Sequence, residues 1–116
     1  MKNLYNQGVL VIRLLLLTIL VSLPTLADNN VFDWTGLEKE RISLEAPLLI
    51  VKAPKGFIGC GYINVDACED EVCAIVNGVN THNDMLTAII KAVSLDGIEL
   101  GITVGMTGAE AIELLR

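Results

Sequence analysis

Basic residues, histidine and recognised catalytic signatures are all scarce in this sequence, and each scarcity closes off a class of function. Lysine and arginine together number 8 against 14 acidic residues, giving a formal net charge of −6. An acidic body repels phosphate backbones and anionic bilayers, so nucleic acid is excluded as the expected partner. His82 is the one histidine. No HExxH helix, EF-hand loop, P-loop or GxGxxG fingerprint is present, which removes the common metal and nucleotide chemistries. Three cysteines, Cys60, Cys68 and Cys73, stand in a C-x7-C-x4-C spacing that fits no zinc or redox pattern. An odd, small number of cysteines does not describe a disulfide-built scaffold. The spacing predicts a chain that folds with reduced thiols; Cys68 and Cys73 are the nearest pair should an exported form oxidise.

What is present divides at about residue 27. Lys2 and Arg13 precede residues 14–23, LLLLTILVSL, an uninterrupted apolar run closed by Pro24. Thr25 and Ala27 then occupy the −3 and −1 positions of a cleavage point before Asp28. Basic segment, apolar segment and small-residue cleavage site make up a secretory signal peptide. The run is shorter than the roughly 20 apolar residues of a membrane span. Residues 1–27 are therefore expected to be a signal peptide, with an uncleaved N-terminal anchor as one alternative and a mis-assigned start, leaving a cytoplasmic protein, as the other. Export to the periplasm or the exterior follows from the first, and membrane contact from the second. All 14 acidic residues lie from Asp28 onward with six of the basic ones, so the exported part carries a net charge of −8.

Residues 28–44 read as a polar N-terminal extension ending in an edge strand, with Trp34 its large anchor and loose alternation over 38–45. Residues 48–53, LLIVKA, are nearly continuous in apolar side chains, the pattern of a strand buried on both faces. Pro54 to Gly56 form a turn by composition, and residues 57–65 complete a hairpin. Residues 72–78, VCAIVNG, give a third strand, and the acidic DACEDE before it suits an exposed helical turn with Cys68 inward. From Thr81, an N-cap residue, the apolar spacing predicts either one helix over 82–95 or a short helix followed by a strand. Thr107 with Glu110 three positions on has the form of a capping box opening a C-terminal helix whose stripe holds Ile112 and Leu115.

In a strand over 57–65, Gly59 and Gly61 would share one face and leave a notch, while Cys60, Tyr62 and Asn64 would point the other way. A notch of this kind admits a close backbone, a packed helix or a ligand. Cys60 reads first as a small buried core residue. As a nucleophile it would need a base, and His82, with Asn64 or Asp84 to orient it, is the set the sequence offers. Asp66, Glu69, Asp70 and Glu71 read as a solvated turn rather than a metal cage, so no metal site is expected. Thr81 and Asp84 fit helix capping better than catalysis.

Three stretches, APLLIVKAPKGFIGCGYINVD, AIVNGVNTHNDML and AVSLDGIELGITVGMTGAEAIELL, resemble the YunC-like family of small bacterial and archaeal domains of unknown function. The resemblance rests on Cys60-Gly61 with Asn64, on Gly78-Val79 with Thr81 and Asp84, and on Gly105-Met106 with Gly108, Glu110 and Ala111. It spans about residues 45–115 and implies a YunC-like α/β domain over 45–116. The fold expected is α+β: a single small domain with a mixed β-sheet, short helices and a C-terminal helix. The function expected is a ligand- or protein-binding module without turnover, with binding residues Gly59, Cys60, Gly61, Asn64, Gly78 and Thr81. A thiol-dependent enzyme using Cys60, with Asn64 and His82, is the alternative. No motif names a cofactor; the partners left open are a small molecule, a protein and a second copy of the chain.

Overall fold

The computed structural model describes residues 31–116, so the leader expected over 1–27 lies outside the described residues. Trp34–Arg116 forms a compact unit. Among the described residues no helix is long and apolar enough to cross a membrane. The unit holds a five-stranded sheet in the order β1 (Glu38–Ile42), β2 (Leu48–Ala53), β3 (Gly56–Gly59), β4 (Cys73–Ile75), β5 (Ala92–Val93). Three α-helices, α1 (His82–Thr87), α2 (Leu95–Leu100) and α3 (Gly108–Leu115), and a 3-10 turn at Val65–Cys68 complete it. This is the α+β architecture expected, mixed sheet and C-terminal helix included.

The sheet is mixed because of one pair. β1/β2, β2/β3 and β4/β5 are antiparallel, whereas β3 and β4 run parallel. Residues directly opposite one another share a face, so Val51, Ile58 and Ala74 form a row across β2, β3 and β4. All three are fully buried. Helices α1 and α3 pack on β2 and β3 and on each other, and Met85, Ile112 and Leu115 are fully buried with that row. The opposite row, Lys52–Phe57–Cys73, is exposed at Lys52 and half-buried at Phe57. β2 is thus buried on one face and only partly covered on the other, correcting the expectation of a doubly buried strand. β1 is the edge strand expected and is exposed along its whole length.

The crossover from β3 to β4 carries the 3-10 turn, and it brings Cys68 back to the first residue of β4. The Cα atoms of Cys68 and Cys73 are 6.4 Å apart and the two are disulfide-bonded, within the span of about 4.4–6.8 Å that a disulfide tolerates. The expectation of three reduced thiols is therefore wrong for this pair, and Cys60 alone is free. The odd count concealed a pair plus one.

After α1 the chain turns extended. Ile89 bridges Thr107, and the backbone N–H of Ile90 donates to the Met106 carbonyl at 2.8 Å. The short helix followed by a strand is thus the alternative realised over 82–95. At the C-terminal helix the box is incomplete: Thr107 Oγ1 accepts from the Glu110 N–H, but the Glu110 carboxylate binds the Thr107 hydroxyl instead of its backbone. The full box sits at α1, where Thr81 and Asp84 exchange both bonds.

Candidate functional site

β3 ends at Gly59, six residues earlier than its composition implies, and Cys60 explains how. In an antiparallel ladder the next pair would be Leu49 and Cys60, exchanging both N–H···O bonds. The Cys60 N–H does donate to the Leu49 carbonyl, at 3.1 Å. The Cys60 carbonyl, however, accepts from Ile63 N–H at 3.0 Å and closes a tight turn. The Leu49 N–H is left to the thiol, and donates to Cys60 Sγ at 3.3 Å. The sulfur therefore finishes the ladder where the backbone abandons it.

The supposed notch has owners within the chain. A Cβ on Gly59 would meet Ile63 Cδ1 at 2.6 Å, and one on Gly61 would meet Asn77 Oδ1 at 2.8 Å. Gly61 is beyond the strand, so the two glycines do not share a strand face. Their small size admits neighbouring side chains from the turn and from the segment after β4.

A cleft of about 360 Å³ does open beside them. Its walls come from residues 46–47 ahead of β2, 60–62 after β3 and 78–80 after β4. These are the places where the parallel pair β3/β4 releases its chains at the carboxyl ends, the position at which open α/β sheets form ligand crevices. The last link between the two is the Val76 N–H to the Gly59 carbonyl, at 2.9 Å.

Each wall is braced. Tyr62 Oη donates to the Ala46 carbonyl at 2.7 Å, tying the first two segments together. In the third, Gly78 has φ +70°, a left-handed conformation natural to glycine. Asp84 Oδ2 accepts from the N–H groups of Asn80 and Thr81 at 3.0 and 3.2 Å, while Val79 is buried. Arg41 reaches from β1 to donate to the Asn80 carbonyl at 3.2 Å. Thr81 caps α1 with Oγ1 on the Asp84 N–H, so its role is to hold the wall.

Of the residues singled out from sequence, Cys60, Gly61 and Gly78 line the cleft, and Thr81 adjoins it. Gly59 lies beneath, at the end of β3. Asn64 does not join them: it caps the 3-10 turn, its Oδ1 accepting from the Asp66 N–H at 3.1 Å. His82 points at β1, with Nε2 2.8 Å from the Glu40 carbonyl. No hydrogen bond links Cys60 to either among the described residues. The cleft residues that composition did not flag are Ala46, Pro47, Tyr62, Val79 and Asn80; only the glycine at Gly78 hinted at a wall there.

Cys60 is 3% exposed. A thiol so enclosed and already accepting a backbone N–H is a poor attacking group. We expect iodoacetamide to leave it unmodified in the native protein and to label it once urea unfolds the chain, with peptide mass spectrometry as the readout. Rapid labelling of Cys60 in the native state would restore it as a nucleophile.

Residues 59–115 match the model of a family described as a domain of unknown function, DUF1805. The matched stretch begins at the end of β3 and carries two of the three cleft walls. A solved structure, described as a protein of unknown function, TA1206, from Thermoplasma acidophilum, is similar to the chain. It is 27% identical, with a TM-score of 0.60, covering 75% of this chain and all of that one. No curated protein matches.

Proposed function

We propose that the domain binds a small ligand without turning it over, in the cleft at the carboxyl ends of β3 and β4. The observation that carries this reading is the backbone of the cleft. The N–H groups of Gly61, Tyr62, Gly78 and Val79 have no acceptor among the described residues, although the residues around them are braced by hydrogen bonds. Loops held rigid with their own donors unused are prepared to receive something else. The absence of a base on Cys60 argues against the thiol-enzyme alternative. The YunC-like pattern supports the same location, because two of its three motifs, around Cys60-Gly61 and Gly78-Val79, frame this cleft. The Cys68–Cys73 disulfide supports the exported reading of the chain, since such bonds persist in oxidising compartments.

A screen of small metabolites by thermal unfolding tests the proposal. A ligand present at tenfold over its Kd adds about 1.4 kcal/mol to the stability of the folded state. Ala46 is exposed and contributes only its carbonyl to the hydrogen bonding, so Ala46→Trp should fill the cleft and leave the fold intact. Ligands that stabilise the wild type are expected to lose that effect on Ala46→Trp. If every stabilising compound acts equally on both proteins, the cleft is not the site.

A further inference from the structure

We infer that the ligand of this cleft is a small monocarboxylate; the inference rests on the binding reading above and adds its chemistry. In a chain of net charge −6, the residues lining the cleft include no carboxylate and no lysine. Asp84 braces the wall from outside the lining, and its Oδ2 is occupied by two backbone N–H groups. The residues lining the cleft include two consecutive pairs, Gly61–Tyr62 and Gly78–Val79, whose amide donors have no acceptor among the described residues. Successive N–H groups beside a left-handed residue form concavities that take anions, and Gly78 supplies that residue. Hydrogen bonds to an ionised acceptor are about twice as strong as neutral ones, so amide donors of this kind favour a charged oxygen over a neutral one.

A full positive charge stands at the rim. Arg41 spends Nη1 on the Asn80 carbonyl and makes no ion pair among the described residues, whereas Lys52 pairs with Glu38 and Arg116 with Glu113. The guanidinium keeps donors for a planar oxygen pair, which a carboxylate offers. One guanidinium matches one negative charge; a phosphate dianion would leave charge unbalanced in an acidic protein. Pro47 and Val79, both among the lining residues, provide apolar wall for a short hydrocarbon tail. The volume, about 360 Å³, is that of a small-molecule pocket.

Titration of the 15N-labelled full chain with straight-chain monocarboxylates, followed by amide NMR, tests this directly. Saturable shifts are expected at Gly61, Tyr62, Gly78 and Val79 with propionate or a longer homologue, and none with the matching amides. Arg41→Gln, at an exposed position, should weaken binding about fivefold. Equal binding of acid and amide overturns the carboxylate assignment, as does the same set of shifts with sodium chloride alone. An absence of saturable shifts across the series also overturns it. In each of these cases a non-acidic hit that stabilises the wild type and not Ala46→Trp leaves the binding reading standing, so the two failures are distinguishable.

Discussion

Replacing Gly108 with alanine is expected to destabilise the domain by about 3 kcal/mol, as an overpacking substitution against rigid neighbours. The direction opposes local propensity, because alanine within a helix is ordinarily favoured over glycine by roughly 0.5–1 kcal/mol. Gly108 opens α3, and its N–H donates to the Ala88 carbonyl at 2.9 Å. That bond draws the start of α3 onto the end of α1. A Cβ at Gly108 would fall within the Met85 carbonyl group and within 3.5 Å of Leu86 Cα. These are backbone atoms, and no rotamer change relieves the overlap. Neither helix can step aside without cost: α1 is fixed by the Thr81–Asp84 box, and α3 is tied at its far end by the Lys55 N–H on the Leu115 carbonyl. Urea unfolding followed by circular dichroism should show a lower midpoint with an unchanged slope. A loss below about 1 kcal/mol would mean that the helices slide apart more easily than this packing implies.

The same contact explains why parts of the fold were legible in the sequence and others were not. Local signals served well where the cause was local. The turn after β2, two residues at Pro54 and Lys55 with Gly56 already in β3, the LLIVKA strand and the N-caps at Thr81 and Thr107 all appear close to where composition places them. Residues 88–95 were ambiguous because their conformation is decided by partners far along the chain: Ile89 bridges Thr107, and Ile90 bonds to Met106 and Gly105. The composition implies a longer β3 because Gly61 fits a thinned strand as well as it fits a turn. The turn follows from the Cys60 carbonyl bonding to Ile63 instead of Leu49.

The site divides along similar lines. Glycines at 61 and 78 pointed to the cleft because backbone conformation and close approach leave a compositional trace. Ala46, Asn80 and Arg41 left none, since they contribute a carbonyl, a loop position and a reach across the sheet edge. Asn64 and His82 share with a Cys60 site only their chemical type. Their actual partners, Asp66 and Glu40, show that suitable chemistry without distance does not make a triad.

Reduction of the Cys68–Cys73 disulfide is expected to lower stability by about 2 kcal/mol, the loop-entropy value for a closed loop of roughly six residues. The bond joins the end of the β3–β4 crossover to the first residue of β4, and both cysteines are buried. Parallel strands require a crossover, and this one is compact, with a single 3-10 turn in place of a full helix. Cross-linking its end restricts the unfolded chain where the sheet must close. The reduced thiols would remain small apolar groups in the same pocket, so no orphaned polar group enlarges the loss. Urea midpoints with and without a thiol reductant measure the effect. A Cys68→Ala/Cys73→Ala variant, which retains Cys60, should start from a lower midpoint and be insensitive to reductant. Were the wild-type midpoint indifferent to reductant, the disulfide would contribute nothing to the stability of the fold. A shift confined to the wild type instead ties the stability of this sheet to the oxidised Cys68–Cys73 pair.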